Sequence, residues 1–361
     1  MEEKGKKGRM DCTLLLIVVF LVVIGLVILY STSAYNGQVK FHDSFYYLKK
    51  QAFATVLGIV LMLFVAGMDY HIWQRLAVFG YLAAVALSVA VMLFGREING
   101  SKRWLALGPF SFQPSEFAKV ALILFLADLV TKNVKTIGKM WTLCRIMFWI
   151  LPIVGLVGAS NLSTAIIILG IGVILIFVAS PKYAQFALMG LAGACFMGIF
   201  LALESYRLER LAIWRNPEKY EKGYQTLQGL YAIGSGGVFG VGLGNSVQKL
   251  GFVPEAQNDM IFSIICEELG LAGAGIIVFL FLLLIWRFFM IASGSRDLFG
   301  ALIATGAMAH MMIQVILNIA VVTNTIPNTG ITLPFISYGG TSVMFLLIEM
   351  GLVLSVSQVV D

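Results

Sequence analysis

Apolar residues run through this chain in long continuous stretches separated by short polar ones. Ten stretches have the composition of membrane-spanning helices: 12–30, 52–68, 76–94, 117–130, 147–159, 164–180, 184–203, 260–286, 299–322 and 341–357. Crossing the hydrocarbon core takes about 20 apolar residues. The fourth and fifth stretches fall short of that, so the pattern sets their ends only loosely. The runs are continuous rather than alternating, which argues against a membrane β-barrel. A polar break at 160–163 divides two of them; at that depth it must be buried in protein or line a cavity. The expected fold is all-α: a polytopic membrane protein of ten transmembrane helices. A cytoplasmic tail, 1–11, precedes a single helical domain, 12–361, with a large extracytoplasmic loop at 204–258.

Composition agrees with a lipid solvent. Of the 361 residues 59% are hydrophobic and 12% charged, and the mean hydropathy is +0.91. A soluble domain carries about 25% charge. Lys4, Lys6, Lys7 and Arg9 ahead of the first apolar run, and Ser31 to Ala34 after it, imitate a signal peptide. That run spans 19 residues, against about 7–15 for a signal sequence, so it is expected to be a retained helix. The net charge of +6 comes without a long basic run and gives no indication of a nucleic-acid partner. Cys12, Cys144, Cys195 and Cys266 lie in or beside apolar runs; they imply no disulfide framework and are expected to be packing residues.

Charge changes the picture of the loops. With the N-terminus inside, 12 Lys and Arg fall on inner segments and 12 on outer ones, so the positive-inside rule alone does not orient the chain. Nine of the outer charges sit in two segments: Arg96, Lys102 and Arg103 in one, and Arg207, Arg210, Arg215, Lys219, Lys222 and Lys249 in the other. Cations concentrated there suggest a task on that side, such as holding an anion.

The first of these segments runs Asn99-Gly-Ser-Lys-Arg-Trp-Leu-Ala-Leu-Gly108 and leads to Gln113-Pro-Ser-Glu-Phe-Ala-Lys119. Trp104 reads as an interfacial aromatic and Ser115 as a helix cap. Glu116 and Lys119 are three apart and share a helix face; a mutually neutralising structural pair is the expectation, with a proton or substrate role as the alternative. In the second segment Arg207, Arg210 and Trp214 fall at helical spacing, as in an amphipathic helix lying on the membrane surface. Six glycines then occur between Gly234 and Gly244. Beside Lys249 they could cradle a phosphate or form a flexible loop; with no strand before them they are not a dinucleotide fingerprint.

The segment 251–270 places Glu255 and Asp259 at the mouth of a span and Glu267 and Glu268 inside it. Asp259 stands where a helix would start, so it is either a cap favoured by the dipole or a functional acid. Glu267 and Glu268 must face protein or water, paired with Lys or Arg or protonated. In the ninth span His310, Gln314 and Asn318 recur every four residues; such a stripe glues helices together or lines a cavity, and glue is the expectation.

Together these segments resemble the SEDS family, the bacterial cell-wall polymerases FtsW, RodA and SpoVE. The matching pieces are Lys102-Arg103-Trp104, Gln113 to Lys119, Gly236 to Gly244 with Ser246 and Lys249, Pro254 to Asp259, Glu267 to Gly270, and Leu333 to Gly340. They run in the family's order over most of the chain. Where the family usually has Thr-Asp-Phe this chain has Asn258-Asp259-Met260, which leaves the acid in place, and Asn161 to Thr164 looks more like the FtsW/SpoVE branch. The resemblance implies a peptidoglycan glycosyltransferase that polymerises lipid II on the outer face of the bacterial cytoplasmic membrane, serving division, elongation or sporulation. Asp259 matches the family's catalytic residue, and a class B penicillin-binding protein, a transpeptidase, is the implied partner alongside other divisome or elongation proteins. A divalent cation (Mg or Mn) would suit the reaction, but no His/Cys cluster marks a metal site.

The residue chemistry suits that role. A sugar hydroxyl must attack the anomeric carbon of a second sugar and expel a lipid pyrophosphate. A carboxylate at Asp259 can take the proton. Lys102, Arg103, Arg210 and Lys249 can hold the pyrophosphate, with Trp104 and Glu255 beside them as candidate substrate contacts. Going from an α-linked donor to a β-linked product implies inversion in one displacement. The rival is a flippase for the lipid-linked precursor, supported by the polar intramembrane set Glu116, Lys119, Asp128, Glu267, Glu268, His310 and Glu349; against it, the sequence shows no paired discontinuous helices in two halves. A non-catalytic division scaffold is a third possibility.

Overall fold

The computed structural model describes residues 8–98, 101–107, 110–187, 190 and 211–360. Within them the apolar runs become helices longer than the runs themselves: α1 (Cys12–Phe41), α2 (Tyr46–Gly67), α3 (His71–Phe94), α4 (Pro114–Asn133), α5 (Met140–Ser160) and α6 (Leu162–Ala179). After them come α7 (Tyr224–Gly236), α8 (Ile261–Gly294), α9 (Leu298–Val322) and α10 (Gly340–Ser357). Nine of the ten expected spans correspond to α1–α6 and α8–α10; most of the seventh, 184–203, lies outside the described residues. Eight of the described helices are long and apolar enough to cross a membrane. The ninth, α4, carries Glu116, Lys119 and Asp128 in its buried face, which lowers its hydropathy without removing it from the bundle.

The fourth and fifth spans prove to be helices of 20 and 21 residues. Their polar ends are helical too, because Pro114 is preset for a first turn and because neighbouring helices cover them. The expected break at 160–163 narrows to one residue. Asn161 ends α5 and begins α6, its side chain accepting from the Thr164 N–H at 3.3 Å.

Burial separates the helices into two kinds. α4, α9 and α10 are covered on nearly all sides, whereas α1, α2, α3, α5 and α8 each keep an exposed apolar face, as lipid-facing helices must. α10 packs along α2, α3 along α4, and α8 against both α9 and α7. Small residues allow the closest approaches: a Cβ on Gly351 would stand 2.5 Å from the Met62 carbonyl oxygen, and one on Gly25 2.4 Å from that of Phe335. The two ends of the described chain meet, with Gly8 N–H donating to Gln358 O at 2.7 Å and Asp11 N–H to Ser357 Oγ at 3.2 Å.

Two features modify the expected architecture. A small antiparallel sheet, β1 (Arg96–Ile98), β2 (Ser101–Leu107) and β3 (Phe110–Phe112), joins α3 to α4. The segment 204–258 is in part a folded element rather than a plain loop: α7 runs along α8, and 3₁₀ turns at Pro217–Lys219 and Glu221–Gly223 precede it. Of the cysteines, Cys266 is buried, while Cys12 and Cys144 are on the surface and do not pack the core; Cys195 lies outside the described residues.

Candidate active site

Asp259 lies in a run of turns just before α8. Met260, not Asp259, is the N-cap of that helix, and no side chain caps it. The cap expectation therefore does not hold. The Asp259 side chain is buried, at 9% exposure. Its Oδ1 accepts from Gln225 Nε2 on α7 at 3.4 Å, and Gly330 faces its Oδ2, where an added Cβ would stand 4.0 Å away. Among the described residues it makes no ion pair. Burial raises its carboxyl pKa from the usual 3.8 to about 6; the Glu255 charge adds to the rise, while the backbone N–H groups of Asp259 and Met260 and the Gln225 side chain oppose it. A carboxylate held this way is poised to take up a proton near neutral pH.

The backbone of this loop is held from three sides. Asn318 on α9 donates through Nδ2 to Asp259 O at 2.8 Å and to Ile331 O at 2.7 Å. Ser337 Oγ donates to Asn258 O at 2.6 Å, and Tyr338 N–H to Gln257 O at 2.9 Å. Glu255 adopts a left-handed φ of 51°, and its carboxylate accepts from Asn258 Nδ2 at 2.6 Å. Lys40 lies 3.7 Å from the same carboxylate.

The polar stripe of α9 continues away from Asn318 into a buried network. Gln314 Nε2 donates to Thr332 O at 3.0 Å, and its Oε1 faces His310 Nε2 at 2.8 Å and Lys119 Nζ at 3.3 Å. Lys119 pairs with Glu116 at 3.0 Å, Glu116 accepts from Ser342 Oγ at 2.8 Å, and His310 Nδ1 lies 2.8 Å from Glu349. These contacts tie α4, α9, α10 and the 323–339 connection together.

Lys249 is also internal. Its Nζ pairs with Glu268 at 2.6 Å and donates to Ser31 Oγ at 3.0 Å, linking the glycine-rich segment to α8 and α1. Among the described residues Glu267 has no cation; it accepts from Ser246 Oγ and from the Val247 N–H at 3.1 Å. The glycine-rich segment packs against α8. Val241 and Gly242 N–H donate to the Glu267 and Glu268 carbonyls at 2.9 Å each, so these donors are committed to the protein rather than to a phosphate. A Cβ on Gly236 would lie 1.9 Å from Cys266 O, and one on Gly240, at φ +77°, 2.2 Å from Glu268 O. Close backbone approach to α8 is what excludes a side chain there.

Of the other candidates, Arg103 Nε donates to Ser160 O at 3.0 Å, and Arg103 lines a small pocket of mixed polarity with Ser115, Leu156, Val157, Ser160 and Asn161. Just beyond, Ser163 Oγ donates to Thr329 O at 2.7 Å, next to the Gly330 that faces Asp259. Lys102 and Trp104 lie on β2, in register with Glu97 and Arg96. Arg210 and Arg207 lie outside the described residues; Trp214 is described, and its Nε1 donates to Asn324 O at 2.9 Å. Gln225, the one side chain among the described residues bonded to the Asp259 carboxylate, carries no sequence signal of its own, since a single Gln in a polar segment is unremarked until folding sets it against the acid.

A helical bundle with a buried acid at one helix mouth, without an ion pair among the described residues, defines a membrane-embedded protein with an enzyme-like site. The FtsW/RodA/SpoVE family model, described as a cell cycle protein, matches residues 12–361. Stage V sporulation protein E of Bacillus subtilis is 40% identical, covering 98% of each chain. The probable peptidoglycan glycosyltransferase FtsW of Trichlorobacter lovleyi is 35% identical over 96% of this chain and 93% of its own. Among solved structures, a chain of a peptidoglycan synthase complex superposes with a TM-score of 0.83 at 30% identity, over 96% of this chain and 97% of that one. The rod shape determining protein RodA of Thermus thermophilus gives 0.72 at 28%, over 96% of each chain. The chain belongs to the FtsW/RodA/SpoVE family.

Proposed function

We propose that this protein is a peptidoglycan glycosyltransferase that polymerises lipid II at the outer face of the bacterial cytoplasmic membrane, for division or spore-wall synthesis. Family membership and the printed activity of the FtsW relatives support the reaction class. The observation that carries the mechanism is Asp259: a buried carboxylate without an ion-pair partner among the described residues, with its pKa raised to about 6.

Asp259 takes the proton of the acceptor's 4-hydroxyl as that oxygen bonds to the donor's anomeric carbon. The bond from that carbon to the pyrophosphate breaks on the opposite face, undecaprenyl pyrophosphate leaves with the electron pair, and the configuration inverts. Arg103, Lys102 and Arg210 are the candidate cations to receive the pyrophosphate; Lys249, paired with Glu268, is not. Among the described residues no group of three metal-binding side chains occurs; a divalent cation (Mg or Mn) would enter as the counter-ion of the pyrophosphate. The likeness to a chain of a peptidoglycan synthase complex supports pairing with a class B penicillin-binding protein.

The test is polymerisation by the purified protein. Supplied with lipid II in detergent, where no bilayer separates two compartments, a polymerase makes glycan strands. A flippase or a scaffold makes none, and that result would overturn the proposal.

A further inference from the structure

The segment that follows α7 combines two properties seldom found together on an aqueous loop. Between Gly237 and Gly242 its backbone bonds to α8: beyond the Val241 and Gly242 bonds, Leu271 N–H donates to Gly237 O and Ala272 N–H to Val238 O, at 2.9 Å each. These bonds sit at the kink of α8, where Gly270 leaves helical geometry with φ 68°. The side chains of the same segment are apolar and point outward. Phe239 is 84% exposed and Val238 57%, with Val241 and Leu243 exposed beside them. Polar backbone paired internally and apolar side chains displayed outward is what a hydrocarbon environment requires.

Depth can be read from α1. Asp11 caps the start of that helix and pairs with Arg287 at 2.7 Å, marking one membrane surface. Ser31 closes the apolar run of α1 and contacts Lys249 and Glu268. A rise of 1.5 Å per residue over the intervening helix gives about 30 Å, the thickness of a bilayer's hydrocarbon core. The glycine-rich segment packs against Glu267 to Ala272, at or below the level of Ser31, on the membrane side of Asp259. Its exposed surface is continuous with the lipid-facing stripe of α8, where Leu271 is 70% and Phe279 58% exposed.

We propose that residues 237–250 are a hook inserted into the outer boundary of the bilayer, with lipid acyl chains as its partner. Like an interfacial anchor, the hook binds the turn that carries Asp259 to headgroup level. Part of the segment 204–258 is then membrane-immersed and not an extracytoplasmic loop.

The test uses the full chain in phospholipid nanodiscs, with Cys12, Cys144, Cys195 and Cys266 replaced by Ala and one nitroxide introduced at Phe239→Cys. Val241→Cys is a second probe should the first fail to fold. Lys222→Cys supplies the aqueous reference and Phe279→Cys the lipid reference. Power saturation with oxygen and with a water-soluble nickel chelate separates the environments. The expected result is a position 239 resembling 279, with high oxygen access and a nickel access several-fold below that at 222. Nickel access equal to that at 222 places the hook in water and overturns the proposal. Low access to both reagents means that protein, a second copy included, covers it, and overturns it equally.

Discussion

Asn318 reaches across from α9 to hold the main chain of Asp259, donating to its carbonyl at 2.8 Å with the same nitrogen that bonds Ile331 O at 2.7 Å. The side chain is fully buried, so neither carbonyl has water as a substitute. One amide thus sets the distance between the turn bearing the acid and the connection whose Gly330 faces its carboxylate.

Asn318→Ala is therefore expected to leave two buried acceptors unpaired, at about 1–3 kcal/mol each, and to lower the melting temperature. Polymerisation by the protein that remains folded should fall by up to about 10²-fold, the scale of a catalytic group displaced by an ångström. Full activity with reduced stability would confine Asn318 to the fold.

The Glu116–Lys119 pair makes a prediction of a different kind. Both side chains are buried, and removing one member of such a pair costs about 3–5 kcal/mol because the other charge is stranded. Glu116→Gln or Lys119→Met should each reduce the amount of folded protein, and exchanging the two residues should partly restore it. Full abundance of Glu116→Gln with no activity would make the pair functional instead.

How much of this was legible beforehand differs from element to element. Apolar runs located the helices because lipid leaves no other way to satisfy a backbone. The i, i+4 spacing of His310, Gln314 and Asn318 announced one polar face: His310 and Gln314 bond each other, and Gln314 and Asn318 hold the neighbouring carbonyls of Thr332 and Ile331. The role of Gly236 and Gly240 could not be read, since what excludes a side chain there is the carbonyl of Cys266 or Glu268, some thirty residues away in sequence. Lys249 looked available for an anion for the same reason: Ser31, one of its two partners, belongs to the first helix. The β1–β3 sheet is not legible in the sequence, because β1 and β3 have three residues each and leave β2 without partners that show a periodicity.

Gly240→Ala tests the close approach directly. The residue has φ +77° and its new Cβ would fall 2.2 Å from Glu268 O. Left-handed backbone costs a non-glycine residue about 1–2 kcal/mol, and the clash adds to that. A melting temperature lowered by several degrees is expected; an unchanged one would mean that the hook does not sit against α8 in solution.

Titration gives a fourth prediction. Asp259 must be ionised to accept a proton, so kcat/KM should rise with pH through an apparent pKa of about 6. The Glu255 charge contributes to that elevation, so Glu255→Gln should move the limb to lower pH. Stability has the opposite sign. The folded state holds this proton more tightly than the unfolded chain, so the site favours folding below the unfolded value of 3.8, and the contribution is lost as pH rises through 6. A pH–rate limb unmoved by Glu255→Gln would separate the titrating group from Asp259.

The sharpest test is replacement of the acid itself. Asp259→Asn keeps the shape of the side chain and an oxygen that can accept from Gln225, but the amide cannot take a proton. Because Met260 rather than residue 259 is the cap of α8 and no side chain caps it, neither Asp259→Asn nor Asp259→Ala should disturb the start of that helix. Removing a buried charge-bearing group with no ion-pair partner among the described residues should also leave the melting temperature near or above that of the parent. Both variants are thus expected to insert and fold, and both to lose glycan polymerisation by about 10²-fold or more, the usual scale for losing a general base. If Asp259→Ala were inactive and Asp259→Asn nearly normal, the side chain would be needed for a hydrogen bond and not for proton transfer. Near-normal polymerisation by both would remove Asp259 from the mechanism and shift the assignment to Glu255, the other acid of the same turn.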